Sequence, residues 1–453
     1  MIPIFFYLDK KTPLTLEKVQ KYIEVFQSQN LPRLEKLKKY YDNKNTAINM
    51  RTFTNKDVPN NKIATPYASY ITDVIASYFM GKNPTYNSQD NSLLSEINAI
   101  FNFNDEHNHN SILATQQSIY GYAIELMYLD DKSNIRFTAL DPRQTILIYE
   151  NTLEQKLLYT IRFYNITDIL TGNKTLNVEI YTKNDIMYYK QVDSNLILMD
   201  SAEHYFNDIP VNVYKNNDDC TGDFEKIIKL IDAFDFAMSD SQNERDNFND
   251  SYMTFINTGL KSDSEDDMKI LQSMKDSRNI VLDNDLEGKP PTVDFLIKKG
   301  NVSETEANKD RIEKLIHKLS FIGDLSADSI KSHTSATQSK LSTLGLEQST
   351  SKKESFFRFG LQRRIEIITN ILNLKGSNYD YRRVNITFTR NLPTDEVIIA
   401  DMISKLTGIV SNETLLEQIP FVTDIEQEKE RLKAQLSNNN ANNENITANL
   451  NDN

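Results

Sequence analysis

The spacing of apolar residues changes along the chain, and this change restricts the fold more than any other feature. Residues 65–81 and 224–248 carry apolar side chains at helical spacing. Between Gly121 and Val213 the spacing becomes every second residue, and turn clusters divide that stretch, as expected for a β-rich module. Helical spacing returns after Ser303. The sequence therefore predicts an α+β fold that is mainly helical.

Length and charge narrow the classes of protein to which the chain can belong. At 453 residues it exceeds the length at which one hydrophobic core stops growing, so about two to four domains are expected. The formal net charge is −13, whereas proteins that bind DNA tightly are usually basic because they neutralise phosphates. The charge argues against a tight nucleic-acid binder but is compatible with a surface along which DNA slides.

The cysteine count and the hydropathy of the sequence indicate the cellular compartment in which the chain is expected. Cys220 is the one cysteine of the sequence, so neither an intrachain disulfide nor a thiolate zinc site is expected. No apolar run reaches the ~18 residues of a membrane span, and Met1–Tyr7 is too short for a signal-peptide core. We expect a chain that is made in a reducing cytoplasm and does not enter a membrane.

Several helix boundaries can be assigned from capping residues. Thr65 is predicted to cap a helix that has Pro66 at its first position and Gly81 just past its end. A capping box of Ser303 and Glu306 is predicted to open another helix. The helix expected over 343–375 ends at Lys375-Gly376, where the glycine is expected to form the C-cap. Residues 14–41 are also expected to be helical, with an interruption at Leu31-Pro32.

The stretch from Gly376 to Asp424 is predicted to be a strand followed by two helices. Val384, Ile386 and Phe388 alternate as in a strand, and Asn391 and Pro393 break the alternation. Thr394 or Asp395 can cap the first helix, Gly408 ends it, Ser411 starts the second and Pro420 ends that one. The asparagine-rich residues 437–453 are predicted to be disordered.

Two motifs of catalytic type are present only in part. His107-Asn108-His109 has the letters of a nuclease motif, but the wider metal-binding context is missing, so a solvated helix start is the favoured interpretation. Gly81-Lys82 and Gly288-Lys289 lack the upstream glycine and the following hydroxyl of a phosphate-binding loop. No G-x-S-x-G elbow is present. The sequence thus predicts neither an enzyme nor a cofactor.

Charged clusters are open to a ligand-binding or a structural interpretation. The acids of 263–267 lack calcium-loop spacing and are best explained as a solvated surface. The basic run at 352–364 could contact phosphate, but packing and inter-subunit ion pairs are favoured because apolar residues share its helix. Arg390, next to the proline turn, is expected to be a buried structural cation. The residues of the basic run are Lys352, Lys353, Arg358, Arg363 and Arg364.

Four segments, in this order along the chain, resemble portal proteins of long-tailed bacteriophages of Gram-positive hosts. Together they cover roughly residues 30–435, and their agreement in order is more specific than any one of them. The segments are Asn60–Ile63 with Tyr70–Asp73 and Tyr78–Tyr86, then Ser118–Glu125 with Ala139–Pro142, then Leu230–Asp235 with Ser239, Asp240 and Asn243, and finally Gly360–Arg364 with the stretch from Gly376 to Asp424.

The resemblance implies a portal fold with wing, stem, clip and crown parts that forms a ring. It implies that the expected domains are 1–222 (wing), 223–258 (stem helix), 259–301 (clip), 302–320 (stem helix), 321–342 (tunnel loop), 343–375 (long wing helix) and 376–436 (strand and crown helices), with 437–453 as the tail. The tunnel-loop stretch departs from the family because it lacks the usual glycine and following aliphatics, and it is rich in hydroxyl and amide groups instead.

The same resemblance implies three groups of functional residues. Residues expected at the DNA channel in the tunnel loop are Asp324, Asp328, Ser329, Lys331, Ser332, His333, Thr334, Ser335, Gln338 and Lys340. Residues expected to line the stem are Asp240, Glu244, Lys309, Lys314 and Lys318, and Asp235 and Asp246 would add acidic charge if they face inward. Residues expected at the partner surface of the clip are Asp263, Asp266, Asp267 and Lys289.

The implied function is a channel at one capsid vertex for packaging, retaining and ejecting the genome. The implied partners are further copies in a ring of about twelve, double-stranded DNA, the terminase large subunit, a head-tail adaptor, and the major capsid and scaffolding proteins. The chain would assemble in the host cytoplasm and reside in the virion. Two alternatives stay open at this point: a virion scaffold or adaptor without a DNA channel, and a nucleic-acid processing enzyme.

Overall fold

A computed structural model describes most of the chain and combines helices with mainly antiparallel sheets, in agreement with the predicted α+β class. The described residues form two compact units, Met1–Arg390 and Asn391–Asn453. They are residues 4–55, 58–193, 195–249, 252–256, 264–277, 292–296, 302–323, 336–390, 396–417, 419, 422, 428–429 and 431–435.

The helices of the first unit follow the predicted order. A π-helical turn, Phe26–Asn30, joins the first two where 14–41 was expected to be helical, and Pro32 lies in the first turn of the second. The helices are α1 (Leu16–Val25), α2 (Leu31–Tyr41), α3 (Thr46–Asn49), α4 (Tyr67–Met80), α5 (Asn91–Phe103), α6 (Glu106–Tyr120), α7 (Ile228–Asn249), α8 (Glu265–Ser277), α9 (Val302–Leu319) and α10 (Ala336–Leu374).

The strands build sheets of different size. The largest has the order β1-β5-β6-β7-β8-β9, in which β1 runs parallel to β5 and the other pairs are antiparallel. The others are β10-β3-β4, β11-β12 and β13-β2. The strands are β1 (Phe6–Leu8), β2 (Thr85–Ser88), β3 (Tyr122–Leu129), β4 (Ile135–Leu140), β5 (Thr145–Glu150), β6 (Leu157–Thr167), β7 (Lys174–Tyr181), β8 (Asp185–Val192), β9 (Asn195–Glu203), β10 (Val211–Lys215), β11 (Tyr252–Ile256), β12 (Thr292–Leu296) and β13 (Val384–Thr387).

The predicted β-rich module is confirmed, and its strand β3 separates two apolar cores. Tyr122, Ile124 and Leu126 face a core formed with the large sheet, α2, α4 and the start of α7. The alternate residues Ala123 and Met127 face a second core, formed with α5, α6 and α10. Both faces of β3 are therefore buried, because helices cover the side that a surface sheet would leave to solvent.

Two predicted helix starts differ from the structure. Helix α4 begins at Tyr67, and the Thr65 side chain does not cap it, because its hydroxyl and backbone N–H both donate to the Asp235 carboxylate. Helix α9 already begins at Val302, so Ser303 lies inside its first turn. The end of α4 at Gly81 is as predicted.

Helical spacing over 224–248 predicts the end of α7 correctly, whereas the stem helix of 223–258 that the resemblance implies extends too far. Its regular part, α7, stops at Asn249, and Tyr252–Ile256 form β11, which pairs antiparallel with β12. Helices α7 and α9 pack against each other, and Tyr67 of α4 joins them through ring contacts with Phe234 and His317. Along the chain, the strand pair β11–β12 lies between these two packed helices, and α8 lies between the two strands in the sequence.

Helix α10 is the longest element and begins inside the stretch that was expected to be a tunnel loop. Its 39 residues span about 58 Å at 1.5 Å per residue. It ends as predicted, with Gly376 in the left-handed region at a φ of 109°. Gly360 packs against the Tyr214 ring of β10, where an added Cβ would lie 2.3 Å from the ring carbon Cδ1.

The second unit contains helices α11 (Glu396–Leu406) and α12 (Asn412–Glu417). Gly408, at a φ of 85°, follows the first, and the Ser411 hydroxyl accepts from the backbone N–H of Thr414 as an N-cap. The predicted stop and start are thus confirmed. The predicted cap at Thr394 or Asp395 and the predicted disorder of 437–453 lie outside the described residues.

We expect Gly360→Ala to destabilise the protein although alanine favours helices. The gain in helix propensity is about 1 kcal/mol, whereas displacing the Tyr214 ring from a packed core costs about 1–3 kcal/mol and more if the helix must shift. Denaturant unfolding measures the net loss. The matched control is Gly345→Ala in the same helix, where the nearest atom is a ring carbon of exposed Phe321 at 3.3 Å. An equal effect of the two substitutions would contradict the packing argument.

Candidate functional site

A buried arginine joins the long helix α10 to α6 and β3. The Arg364 side chain is fully buried, and its guanidinium lies 2.7 Å from a Glu125 carboxylate oxygen and 3.0 Å from a Glu106 oxygen. It also donates a hydrogen bond of 2.9 Å to the Asn110 side-chain oxygen. The Phe137 ring covers it at 4.8 Å. One cation on α10 thus connects this helix to α6 and β3, whose Glu106 and Glu125 lie 258 and 239 residues before it in the sequence.

The carboxylates of this cluster have further partners, so neither depends on arginine alone. Glu125 contacts His109 Nε2 at 2.7 Å and accepts from the Tyr214 hydroxyl at 2.9 Å. Glu106 accepts from the Tyr86 hydroxyl and, at 3.0 Å, from the Asn83 amide. Buried charges are tolerated when they are paired and hydrogen-bonded in this way.

The charges and the burial of this cluster shift the pKa values of Glu125 and Tyr214. Burial alone would raise the pKa of Glu125, but the Arg364 charge and the contact with His109 outweigh burial and lower this pKa to about 2. Burial raises the pKa of the Tyr214 phenol, and the nearby Glu125 adds to this rise. Both groups therefore keep their ordinary neutral-pH protonation states, which matches a structural role.

The nuclease-like tripeptide is part of this cluster. His107 and Asn108 are exposed on α6, but His109 is buried between Glu125 and Phe137. The prediction that a helix starts here is confirmed. The prediction that the segment is solvated is wrong for His109, because the sequence does not show that Glu125 contacts this side chain. Within the described part of the chain, no group of three or more His, Cys, Asp or Glu side chains could hold a metal ion.

Most of the basic run on α10 is engaged within its own chain. Lys353 lies 2.5 Å from Asp223, and Arg358 lies 2.6 Å from Glu354. Arg363 contacts Asp208 and Glu366. The packing role that was favoured for this run is confirmed, although its ion pairs lie within the chain, and the inter-subunit pairs stay a prediction.

Arg390 is a mostly buried structural cation, as expected. Its guanidinium lies 3.0 Å from Glu347 and 2.8 Å from Glu354, and its side chain is 15% exposed. It therefore fixes the end of the first unit against α10.

A second polar cluster fastens the 45–65 segment to α7. Asp235 is buried and accepts hydrogen bonds from the Thr65 N–H, the Thr65 hydroxyl and the Asn45 amide. One turn further, the Ser239 hydroxyl accepts from the Ile63 N–H at 2.9 Å. This face of α7 is thus covered by the chain itself, and Asp235 is not placed to contribute charge to an open surface.

The predicted stem residues separate into exposed and buried ones. Asp240 is exposed and pairs with Arg51 at 2.6 Å, and Glu244 is exposed on a shallow groove between α7 and α9 that Arg311 also lines. Lys314 and Lys318 are exposed on α9. Lys309 is buried and lies 2.6 Å from Glu306, so it is not on the open face of its helix in this chain.

The predicted clip and tunnel residues are described only in part. Asp266 and Asp267 lie in the first turn of α8, where Asp266 is exposed next to Lys269. Gln338 and Lys340 lie in the first two turns of α10. The others lie outside the described residues: Asp263, Lys289, Asp324, Asp328, Ser329, Lys331, Ser332, His333, Thr334 and Ser335.

Glu106, Asn110 and Tyr214 belong to the buried cluster but were not expected at a site. A charged or amide residue at a core-facing helical position is the one signal that could have indicated them. Glu106 shows such spacing relative to Asn110 and Leu113 of α6. Arg364, the partner of Glu106 and Asn110, lies 258 and 254 residues away from them in the sequence, so no local pattern identifies these pairs.

Comparison with known proteins identifies the class. The family described as phage portal protein, SPP1 Gp6-like, matches residues 20–442. The chain belongs to this family of portal proteins, which are structural, non-enzymatic components of the virion. Helices long and apolar enough to cross a membrane are absent from the described residues.

Two curated relatives of this chain are also portal proteins. The portal protein of Bacillus phage SPP1 is 22% identical over 426 residues, which cover 89% of this chain and 80% of the relative. The portal protein of Clostridium phage phiCD119 is 24% identical over 441 residues, which cover 91% of this chain and 94% of the relative. Both phages infect Gram-positive bacteria, as the sequence resemblance indicated.

We expect Arg364→Met to destabilise the chain by about 3–5 kcal/mol, because it leaves two buried carboxylates without their cation. The matched control is Arg363→Met at the next position, where a partly exposed ion pair contributes at most about 1 kcal/mol. Denaturant unfolding of the two variants measures the difference. Equal losses would show that the buried cluster is not the main link between α10 and the sheet.

Acid should weaken the cluster over a defined pH range. The pKa of Glu125 is lowered in the folded chain, so its contribution is complete above the ordinary value near 4.5 and is lost as pH falls toward 2. We expect a loss on the order of 3 kcal/mol over this range. Unfolding of Glu125→Gln should depend less steeply on pH below 4.5 than that of the unaltered chain. Identical slopes would contradict the assignment.

Proposed function

We propose that the chain forms a ring that encloses a DNA channel at one capsid vertex. Through this channel the genome would be packaged, retained and later ejected. The observation that carries the proposal is the packed helix pair α7 and α9, between which the chain forms the antiparallel strand pair β11–β12, in a chain that belongs to a portal family. A stalk of this kind is suited to surround an axis when many copies repeat around it.

In this proposal α7 and α9 are the stem, and β11, α8 and β12 belong to the clip. Elements α1–α6, the sheets of β1–β10 and β13-β2, and helix α10 form the wing. Helices α11 and α12 belong to the crown. Residues 324–335, together with the first turns of α10, provide the tunnel loop at the DNA.

The proposed channel works by avoiding tight contact with DNA. A ring of about twelve chains, each of net charge −13, repels phosphate over the distance that salt allows. Exposed Asp240 and Glu244 would add to this repulsion in the stem, and exposed Lys314 and Lys318 would moderate it. DNA can then pass without deep binding wells, since each specific phosphate contact would slow its movement.

The exposed first turn of α8 supports the proposal that the clip binds partner proteins. Asp266 and Asp267, with Asp263 and Lys289 of the same region, would contact the terminase large subunit during packaging and a head-tail adaptor afterwards. The major capsid and scaffolding proteins would contact the assembled ring at the vertex. Assembly would take place in the host cytoplasm before the chain becomes part of the virion.

The ring and the tunnel loop can be tested separately. We expect the purified chain to form particles with a central hole in negative-stain images and a mass of roughly twelve subunits by light scattering. Deleting residues 329–335, which precede α10, should leave the ring intact but reduce DNA packaging or retention in infected cells. A matched control deletes Ile169–Gly172 from the exposed β6–β7 hairpin and should leave packaging unchanged.

Two outcomes would contradict the proposal in different ways. A chain that stays monomeric or dimeric under all conditions, with no central hole, would argue for a scaffold or adaptor without a channel. Normal packaging by the 329–335 deletion would leave the ring in place but remove the tunnel-loop assignment.

A further inference from the structure

Strand β9 is the outer strand of the six-stranded sheet and carries an exposed apolar run. Ile197, Leu198 and Met199 are 47%, 51% and 62% exposed. Among the strands that the structure describes, β9 pairs with β8 alone. Outer strands usually carry proline, lysine or a bulge that prevents further pairing. From Asn195 to Glu203 there is neither proline nor lysine, and the one bulge of the β8–β9 pair, at Leu198–Asp200, leaves regular pairing on both sides of it.

The exposed run continues an apolar row from the core. Across the sheet, Phe163 pairs with Val178, Val178 with Tyr189, and Tyr189 with Leu198. Phe163 and Val178 are buried, Tyr189 is half-buried and Leu198 is exposed. The core-facing side of the sheet therefore extends to its edge without a cover from the described part of its own chain.

The opposite edge of the same sheet is also open. Strand β1 pairs with β5 only, as far as the described residues extend, and Tyr7 in its middle is 46% exposed. Lys10 and Lys11 follow directly and are exposed. Two acids lie beside these lysines: Asp9 accepts a hydrogen bond from the Lys11 backbone N–H, and Glu150 lies 4.0 Å from the ammonium group of Lys10, which is 72% exposed.

The two edges differ in charge. Lys10 and Lys11 directly follow β1 and are exposed, together with one exposed acid, Asp9, whereas the exposed acids along β9 and its turn are only partly offset by Lys183 and Lys190. The exposed acids at the β9 end are Asp185, Asp193, Asp200 and Glu203. Pairing β9 with β9 would bring like charges together, whereas pairing β9 with β1 brings opposite charges together.

We infer that β9 of one copy pairs with β1 of a second copy and extends the sheet from subunit to subunit. The inference rests on the proposed function in one respect, that the chain assembles into a ring. Because the two edges lie on different parts of the surface, the contact is heterologous, and such contacts repeat until the ring closes. Tyr7 then covers the apolar residues of β9, and the acids of β9 approach Lys10 and Lys11.

Engineered cysteines can test the contact directly. The native Cys220 is buried, and burial raises its thiol pKa to about 11, so it does not interfere. Assembled rings of Tyr7→Cys combined with Leu198→Cys should, after mild oxidation, give a ladder of linked subunits up to the ring size. Disulfides need Cα atoms within about 7 Å, so Ile197→Cys and Met199→Cys replace Leu198→Cys to cover neighbouring registers.

Single variants provide the control, because Tyr7→Cys or Leu198→Cys alone cannot link more than two subunits. A ladder from at least one double variant, and none from the singles, is the expected result. Intact rings that give no ladder with any of the three pairs would overturn the strand pairing and leave the proposed ring in place. A wild-type chain that never assembles would overturn both.

A charge exchange gives independent evidence. Asp200→Lys or Lys10→Glu alone should lower the fraction of chain in rings about fivefold at low salt, and the double variant should restore it. Ile169→Lys, at the tip of the β6–β7 hairpin, is the matched surface control and should have no effect. If the double variant assembles no better than the single variants, the charges of these two edges do not meet.

Discussion

The ion pairs of Arg364 with Glu125 and Glu106 hold the structure of the first unit together. Each partner is buried, so removing one would leave a charge in the interior without compensation, at a cost of about 3–5 kcal/mol. Because Arg364 lies on α10, Glu106 on α6 and Glu125 on β3, the cluster fixes the longest helix relative to both cores. The positions of Gly360 against Tyr214 and of the second core follow from this attachment.

Asp235 acts on α7 in the same physical way. Its carboxylate satisfies the backbone and side chain of Thr65 and the amide of Asn45, so a polar segment is held on the helix without a second core. This attachment decides which face of α7 stays open. Asp240 and Glu244 remain exposed, whereas Asp235 does not, although the sequence presents all of them as acids of one helix.

Patterns within a short stretch of sequence predicted the local structure well. The alternation after Gly121 predicted the strands, and Gly81, Gly376, Gly408 and Ser411 marked helix ends correctly. The predictions that failed concern residues whose partners are distant in the sequence. Strands β1 and β2 have only three and four residues, and they pair with β5 and β13. Such short segments do not contain enough alternating residues to predict a strand. The hydroxyl of Thr65 was free to cap α4 by local rules, but Asp235 bound it instead.

The sequence by itself determined the α+β class, most helix boundaries and, through four ordered segments, the resemblance to portal proteins that the family match confirms. The spacing of apolar residues and the caps extend over one or two helical turns, so they can be read from a short segment without its tertiary contacts. Only the tertiary structure decided which charges are buried, since burial depends on contacts between residues such as Glu106 and Arg364. Among the strands that the structure describes, it also left both edges of the large sheet without a neighbour, because an edge is defined by which strands pair with one strand alone.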